Sequence, residues 1–380
     1  MIYHLFELLS DYDIPGQRLM GYLSFRAMLA FVTAMLISFF AGRRIIRWLQ
    51  KKQIGETIRD LGLEGQMQKK GTPTMGGVII LLAILVSALL FCDLTNIYTQ
   101  LLIFTTVWCG GIGFADDYIK VFKHDKDGMS ERGKLILQVV LGCIVGLTVC
   151  FNNDIVIREK VRIEADADST HYLPQGSENV DVDSETIVSQ SGWKMENIIK
   201  STKTTLPFIK AHEFDYKWLS PFSGKWGWYC KWAIYVIMIV IVITACSNGT
   251  NLTDGMDGLA AGTSAIVGIV LGILAWLSGN LINSNYLDIM YIPGTGEIAV
   301  FMSIFVGALL GFLWYNSNPA SIFMGDTGSL ALGGFVASTA YMMNMPLFLL
   351  LVGIIYLVEV LSVIIQVTYF KATHGKRFFK

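Results

Sequence analysis

Long apolar runs constrain the fold of this 380-residue chain more than any other feature of its sequence. Several runs hold close to 18 or more almost uncharged residues, the length that a helix needs to cross about 30 Å of hydrocarbon. Because only helices and closed barrels satisfy their backbone in lipid, runs of this length indicate an all-α polytopic integral membrane protein. The composition agrees, since only 16% of the residues are charged, against about a quarter in soluble proteins. We predict nine transmembrane helices, at 23–41, 76–92, 100–117, 135–151, 230–248, 258–279, 297–315, 327–345 and 347–369.

Lysine and arginine residues predict the direction in which these helices cross the membrane. Seventeen of the 29 lie in three segments: the loop after the first predicted span, the loop after the third, and the tail after the ninth. Alternate crossing places all three segments on one side, and short cytoplasmic loops carry the excess of basic residues in membrane proteins. We therefore expect that side to be cytoplasmic and the N-terminus to lie outside.

A polar segment at 152–228 divides the chain into three regions. Residues 1–151 hold the first four predicted spans, and residues 229–380 hold the other five. The segment between them is mixed in charge and contains short β-like stretches at 155–157 and 186–188. Alternation places it outside the cytoplasm, and its basic residues are no objection because long loops escape the charge rule. We expect an extracytoplasmic insert that forms a small subdomain or a partly ordered loop.

Four polar motifs fall on the predicted cytoplasmic side, next to the ends of spans. They are GTPTMGG at 71–77, FADDYIK at 114–120, NLTDGMD at 251–257, and NSNPASIFMGDTGS at 316–329. Carboxylates near the membrane are costly and commonly mark a functional site, a relay or an ion path. Four such motifs on one face predict a single site.

Asp116 and Asp117 are adjacent carboxylates at the predicted end of the third span. A helix C-terminus disfavours negative charge, so the pair needs a cation. Lys120 lies one turn further on and would form a salt bridge with them. A divalent metal is the alternative, and Mg²⁺ prefers one or two carboxylates together with substrate phosphates.

Asp326 and Asp257 each come just before a predicted span, where an ordinary N-cap role explains them equally well. Asn251 and Asp254 lie ahead of any cap position and are harder to explain structurally. Helix N-termini also bind phosphate through free N–H groups. Thr72 as N-cap with Pro73 after it would make the second span such a terminus.

Lysines next to these motifs, at positions 69, 70 and 134, add positive charge for a polyanion. Clustered carboxylates, helix N-termini and lysines at a membrane surface suit a phosphorylated substrate with Mg²⁺. A lipid phosphate fits best, because its tail can lie in the bilayer while its head meets the cytosol. The basic segments satisfy the charge rule by themselves, so we expect no nucleic acid partner.

The four motifs, in this order, resemble those of the polyprenyl-phosphate N-acetylhexosamine-1-phosphate transferases (glycosyltransferase family 4), and most closely the phospho-N-acetylmuramoyl-pentapeptide transferases within that family. The resemblance covers about 1–150 and 229–380. It implies ten transmembrane helices, a homodimer in the cell inner membrane, a cytoplasmic site and Mg²⁺. It also implies transfer of phospho-MurNAc-pentapeptide from UDP-MurNAc-pentapeptide to undecaprenyl phosphate, which yields lipid I and UMP.

The resemblance also implies roles for individual residues. Asp326 looks like the Mg²⁺ ligand, and Asp116 and Asp117 look like a catalytic pair that also lies at the metal. One of that pair would deprotonate the lipid phosphate for direct attack, or form a covalent aspartyl intermediate. Substrate contacts would come from the nucleotide loop and from further polar groups: Lys69, Thr74, Lys134, Asn251, Asp254, Gly255, Met256, Asp257, Asn316 and Phe323, of which Phe323 would stack on uracil.

Two features depart from the family pattern. Family members carry a His-rich motif in a cytoplasmic loop after the ninth span, followed by a tenth span, whereas this sequence ends at 374–380, where that loop would begin. The expectation is either that residues follow Lys380 or that both features are missing. The insert at 152–228 replaces a shorter loop, and we expect its deletion to cost little activity because it lies opposite the predicted site.

Three other functions compete with this interpretation. A sister transferase that uses UDP-GlcNAc shares the motifs. An intramembrane aromatic prenyltransferase would explain Asp254 and Asp257 as a diphosphate–Mg²⁺ motif, but the chain has no second motif with matching spacing. A cation or proton transporter would place carboxylates in mid-span between inverted repeats, and here they cluster at one face.

Overall fold

The computed structural model describes residues 1–8, 17–51, 72–123, 125, 128–162, 193–206, 213–222, 224–287 and 289–374. Helices dominate these residues. The chain runs through α1 (Ile2–Leu8), α2 (Gln17–Gly21), α3 (Leu23–Lys51), α4 (Gly77–Phe91), α5 (Ile97–Phe122), α6 (Glu131–Phe151), α7 (Gly224–Thr253), α8 (Leu259–Ser278), α9 (Leu281–Tyr286), α10 (Gly296–Asn316), α11 (Gly325–Met342), α12 (Leu349–Val352) and α13 (Ile354–Ala372).

Each of the nine predicted spans contains a helix, which confirms the all-α polytopic fold. Within the described part of the chain, seven helices are long and apolar enough to cross a membrane: α3, α5, α6, α7, α8, α10 and α13. Helix α4 is apolar but has only 15 residues, and α11 has 18 and is almost entirely buried. The ninth predicted span is divided, because the chain turns at Gly353 between α12 and α13.

Several helices extend beyond the predicted spans. Helix α3 continues ten residues past the predicted end at 41, to Lys51. Its buried side recurs about every fourth residue and continues through Ile46 and Leu49, as expected for a helix that packs along one face. Arg43, Arg44 and Arg47 therefore lie in a helix, whereas the hydropathy pattern alone predicts a loop at these positions.

Two central helices organise the bundle. Helix α10 packs between α3 and α8, and α11 packs between α5 and α7. Small residues allow these close approaches, as is common between helices in membranes. A side chain at Gly307 of α10 would overlap the backbone of Phe31 in α3. Helix α11 is thereby fixed on several sides, and its first turn carries Asp326.

Two short antiparallel hairpins lie in the insert. Strand β1 (Ile157–Arg162) pairs with β2 (Trp193–Ile199), and β3 (Lys203–Thr205) pairs with β4 (Glu213–Asp215). The β-like stretch predicted at 155–157 overlaps the start of β1, and the stretch predicted at 186–188 lies outside the described residues.

The second hairpin packs directly on the helical bundle, close to the end of α11. The backbone N–H of Thr205 donates to the carbonyl of Asn344 (2.8 Å), and the Tyr235 hydroxyl donates to Asn344 Oδ1 (2.7 Å). Asn344 is buried and has φ of 52°. This part of the insert is therefore joined to α7 and to the turn after α11.

A buried ion pair joins α3 to α10. Arg26 and Glu297 are 4% and 8% exposed, and the Arg26 guanidinium contacts the Glu297 carboxylate directly. Glu297 Oε2 also accepts the backbone N–H of Asp93 at 2.9 Å, and the ring of Tyr3 lies 4.4 Å from the guanidinium carbon. The pair fixes the start of α10, at the opposite end of that helix from the loop that leads to Asp326.

Candidate active site

Three aspartates from two helices meet at one end of the bundle. Asp116 and Asp117 lie near the end of α5, and Asp326 lies in the first turn of α11. One carboxylate oxygen from each lies within 4.8 Å of the other two. Asp116 and Asp117 are fully buried, and the Asp326 side chain is 16% exposed. Hard oxygen donors in this number and spacing fit a divalent cation such as Mg²⁺.

Glycines bring the two helices into direct contact here. A Cβ atom at Gly113 of α5 would overlap the backbone of Asp326 and Thr327, so no other residue fits without moving α11. Gly325 begins α11 with φ of 73°, a conformation that glycine adopts without a steric penalty. The sequence FMGDTGS therefore turns sharply into α11 and presents its first turn to the end of α5.

Asp117 holds this first turn. Its Oδ1 accepts the backbone N–H of Asp326 (3.2 Å), and its Oδ2 accepts both the N–H and the hydroxyl of Thr327 (2.9 and 2.5 Å). Free N–H groups at a helix N-terminus attract negative charge. The Asp117 carboxylate thus caps a helix that is distant in the sequence.

Asp116 and Asp326 share two lysines. Lys120 Nζ lies 2.6 Å from Asp116 Oδ2 and 3.3 Å from Asp326 Oδ2, and Lys134 Nζ lies 2.8 Å from Asp116 Oδ1 and 2.7 Å from Asp326 Oδ2. The Met129 N–H also donates to Asp116 Oδ1 (2.7 Å). The predicted salt bridge between Lys120 and the pair is confirmed for Asp116. Three carboxylates against two ammonium groups leave the cluster one negative charge, which favours a further cation.

Asn251, at the end of α7, completes the surroundings of Asp326. Its Nδ2 donates to Asp326 Oδ1 (2.9 Å) and to Ser329 Oγ (3.0 Å). Both oxygens of Asp326 are therefore directed by neighbours, and the side chain is held in one orientation.

The segment 72–76 pairs with the segment before α11. Phe323 N–H donates to the Pro73 carbonyl (2.9 Å), Gly76 N–H to the Phe323 carbonyl (2.8 Å), and Gly77 N–H to the Met324 carbonyl (2.8 Å). Residues 72–75 are not helical, and α4 begins at Gly77 without a side-chain cap. The prediction of a helix N-terminus at Thr72 and Pro73 is therefore wrong, because the GTPTMGG backbone bonds across the chain to residues 323–324.

Thr74 faces the turn into α11. A Cβ atom at Gly325 would lie 3.0 Å from the Thr74 hydroxyl oxygen and 2.6 Å from Asp117 Oδ2. Thr74 therefore lies beside the carboxylate cluster, and the half-buried Phe323 lies two residues before Gly325 in the chain.

Asn316 and Asp257 tie the loop before α11 to the loop between α7 and α8. Asn316 Nδ2 donates to the Ile322 carbonyl (2.9 Å), and Asn316 Oδ1 accepts the Gly258 N–H (3.1 Å). Asp257 Oδ2 accepts the Ala320 N–H (3.1 Å). The N-cap interpretation of Asp257 and Asp326 is wrong, since the N-cap residues are Gly258 and Met324, and neither of these forms a capping hydrogen bond with its own side chain.

The remaining predicted residues lie on the 254–256 turn or outside the described residues. Gly255 and Met256 are exposed, Met256 by 67%, and Asp254 is half-buried. Lys69 belongs to the segment that the structure does not describe.

The sequence did not predict Thr327 as a partner of Asp117 or Ser329 as a partner of Asn251, and it indicated only a contact of Lys120 with its own helix. The i+4 spacing could identify the Asp116 contact of Lys120. Its second contact, to Asp326, depends on the packing of α11, for which the local pattern holds no signal.

Family comparisons agree with this arrangement. Residues 194–344 match the model of glycosyl transferase family 4, and residues 69–81 match signature 1 of phospho-N-acetylmuramoyl-pentapeptide-transferase. The segment 69–81 includes the strand-like pairing partner of Phe323, and the longer match includes Asn251, Asp257 and Asp326.

Curated relatives are similar over the whole chain. Phospho-N-acetylmuramoyl-pentapeptide-transferase of Parabacteroides distasonis is 48% identical over 100% of this chain and 87% of its own length. The proteins of the same name from Flavobacterium psychrophilum and Porphyromonas gingivalis are 49% and 46% identical, over 100% of this chain and 88% and 87% of their own lengths. With nearly half of its residues identical along its full length, the chain belongs to the phospho-N-acetylmuramoyl-pentapeptide-transferase family.

Proposed function

We infer that this protein is a phosphotransferase that moves phospho-MurNAc-pentapeptide from UDP-MurNAc-pentapeptide to undecaprenyl phosphate, releasing UMP and forming lipid I in peptidoglycan synthesis. The observation that carries this function is the Asp116–Asp117–Asp326 cluster, with two lysines, at one end of an apolar bundle. Relatives that are nearly half identical along the full chain carry the transferase name. A nucleotide-linked sugar peptide and a polyprenyl phosphate are therefore its substrates, and a membrane is its setting.

The reaction joins two phosphates at a cluster in which three carboxylates lie beside two ammonium groups. An oxygen of the lipid phosphate attacks the phosphorus that carries the sugar, and the bond from that phosphorus to the oxygen of UMP breaks. Lys120 and Lys134 each contact two carboxylates of the cluster. A phosphate bound at the cluster would therefore lie within reach of both ammonium groups. Their charge stabilises the oxygens that gain negative charge in the transition state.

The three aspartates have different proposed roles in this reaction. Asp116, buried between the two lysines, accepts the proton of the lipid phosphate in direct attack. Asp326, with Asp116 and Asp117 beside it, would hold Mg²⁺, and the bound ion would supply positive charge to the oxygens of the diphosphate. The covalent aspartyl route is the alternative, and trapping an aspartate that carries phospho-MurNAc-pentapeptide in the absence of undecaprenyl phosphate would favour it.

The nucleotide lies on the loop 254–258 and the segment that leads to α11. Gly255 and Met256 are exposed there, and Asp257 is anchored by the Ala320 N–H. The backbone N–H and carbonyl of Phe323 are both bonded to residues 73–76, and its half-buried ring is the proposed stacking partner of uracil. Asp254, Asn316, Thr74 and Lys69 complete the proposed substrate contacts.

The protein is a multi-pass protein of the cell inner membrane. Its N-terminus lies outside and its carboxylate cluster faces the cytoplasm, an orientation supported by the basic residues in the loops after the first and third spans and in the tail. It works as a homodimer, as the family resemblance implies.

A comparison of two donors tests the substrate assignment. Purified protein is incubated with undecaprenyl phosphate, Mg²⁺ and either UDP-MurNAc-pentapeptide or UDP-GlcNAc, and the lipid product is identified by mass spectrometry. We expect the muramoyl-pentapeptide diphosphate lipid from the first donor and no product from the second. A GlcNAc-diphosphate lipid as the main product would assign the chain to the sister transferase.

A further inference from the structure

The first turn of α11 carries a contact that the proposed chemistry does not use. Thr327 donates both its N–H and its hydroxyl to a single oxygen, Oδ2 of Asp117. A carboxylate oxygen has about two lone-pair sites, so Oδ2 is saturated. Only Oδ1, which accepts the Asp326 N–H at 3.2 Å, keeps a lone pair for another partner.

This contact is closed to solvent. Asp117 and Thr327 are 3% and 0% exposed. Gly325 and Gly113 border the contact, and a Cβ atom on either would collide with Asp117 or with the backbone of Asp326. The Thr327 hydroxyl and the carboxylate that it contacts are therefore shielded from bulk water.

Asp326 lies next to this contact in the chain and points away from it. Its backbone N–H belongs to the Asp117 contact, whereas its carboxylate meets Lys134 (2.7 Å), Lys120 (3.3 Å) and Asn251 (2.9 Å). The direction of the Asp326 side chain therefore depends on how the first turn of α11 sits on Asp117.

We propose that Thr327 is a positioning residue: its hydroxyl fixes the Asp117 carboxylate on the first turn of α11 and thereby aims Asp326 at the phosphate and cation position. The consequence is a division of labour in the adjacent pair, with Asp116 facing the lysines and the substrate and Asp117 facing the helix. This inference rests on the proposed function in one respect, namely that Asp326 acts on the substrate diphosphate and its cation.

Three variants separate positioning from stability. Thr327→Val keeps the shape of the side chain and removes the hydroxyl, and Thr327→Ser keeps the hydroxyl. Thr339→Val is the matched control, because Thr339 is equally buried in α11 and its hydroxyl contacts none of the aspartates: it donates to the Phe335 carbonyl (2.9 Å) and to Met302 Sδ (3.8 Å). For each protein, the measurements are kcat and KM for UDP-MurNAc-pentapeptide, and Mn²⁺ affinity by electron paramagnetic resonance without substrate.

We expect Thr327→Val to lower kcat about ten-fold or more, the effect of losing one hydrogen bond to a charged group. Its KM should change less than about two-fold, because the proposed nucleotide contacts lie elsewhere, and its Mn²⁺ affinity should fall several-fold. Thr327→Ser should restore kcat and Mn²⁺ affinity, and Thr339→Val should match the unaltered protein in both.

Unaltered kcat and Mn²⁺ affinity in Thr327→Val would overturn the proposal, as would an equal loss in Thr339→Val or a failure of Thr327→Ser to restore function. The Mn²⁺ measurement keeps this test independent of the proposed function. If the unaltered protein releases no UMP, the transferase assignment fails, and the relative Mn²⁺ affinities of the three variants still decide whether Thr327 positions Asp326.

Discussion

At the scale of single residues, the site depends on how buried charges are paired. Asp116 contacts two lysines, Asp117 contacts a helix N-terminus, and Asp326 contacts both lysines and an amide. The adjacent aspartates are chemically identical, and their surroundings alone give them different tasks. Removal of either partner of a buried charge leaves the other uncompensated.

Asp116→Asn should abolish most of the turnover while the protein stays folded. The change removes the proposed proton acceptor and one negative charge between Lys120 and Lys134, and general-base catalysis contributes roughly 10²–10⁴-fold. UMP release per mole of purified protein measures the effect. Asp154→Asn is the control, because Asp154 is an exposed carboxylate in the turn after α6, away from the cluster. Turnover within a few-fold of the unaltered protein would remove Asp116 from the mechanism.

Phe323→Ala should chiefly weaken binding of the UDP substrate. Stacking of a base on an aromatic ring contributes about 1–3 kcal/mol, so KM should rise roughly ten-fold or more with a smaller change in kcat. Phe323→Tyr preserves the ring and should stay close to the unaltered protein. An unchanged KM in Phe323→Ala would show that uracil does not lie on this ring.

At the scale of elements, the structure joins one part of the 152–228 segment to the helical bundle. The hairpin of β3 and β4 is bonded to Asn344, whereas residues 163–192 connect β1 to β2. The sequence pattern predicts one accessory segment at 152–228 and contains no sign that its second half is bonded to the turn after α11.

Deletion of 163–192, with a short glycine linker between β1 and β2, should leave turnover within about two-fold. Asn344→Ala should instead lower the free energy of unfolding by about 1–3 kcal/mol, because the buried Tyr235 hydroxyl loses its acceptor. Thermal unfolding in detergent and UMP release measure the two effects. Loss of turnover in a well-folded 163–192 deletion would contradict a peripheral role for that segment.

Removing one partner of the Arg26–Glu297 pair should lower the free energy of unfolding more than replacing both partners with apolar residues. Glu297→Ala leaves the Arg26 guanidinium buried without its carboxylate and should destabilise the protein by about 3–5 kcal/mol. The double variant Arg26→Met, Glu297→Met should recover most of that loss, since no charge then remains buried. Unfolding temperatures of the single and double variants test this, and equal temperatures for Glu297→Ala and the unaltered protein would contradict it.

At the scale of the whole molecule, long apolar runs were sufficient to predict the helices, because hydrocarbon permits few alternatives to a helix. They could not predict where helices end, since α3 and α7 continue beyond the apolar stretch through packing on one face. The candidate site shows the same limit: the sequence indicates which residues take part, but it does not indicate the contacts between distant segments. Asp116, Asp117, Asp326, Lys134 and Asn251 were predicted and do meet, whereas the roles of Thr327 and of the 72–76 segment depend on contacts between distant parts of the chain.

The central claim is phosphosugar transfer to a lipid phosphate, and the nucleotide released by the purified protein tests it most directly. The protein in detergent is incubated with UDP-MurNAc-pentapeptide, undecaprenyl phosphate and Mg²⁺, and then with each of the last two omitted in turn. We expect UMP only when both the lipid and the metal are present. UDP as the released nucleotide would mean sugar transfer without its phosphate, and release of many equivalents of UMP per protein without the lipid would mean hydrolysis; either result would contradict the account.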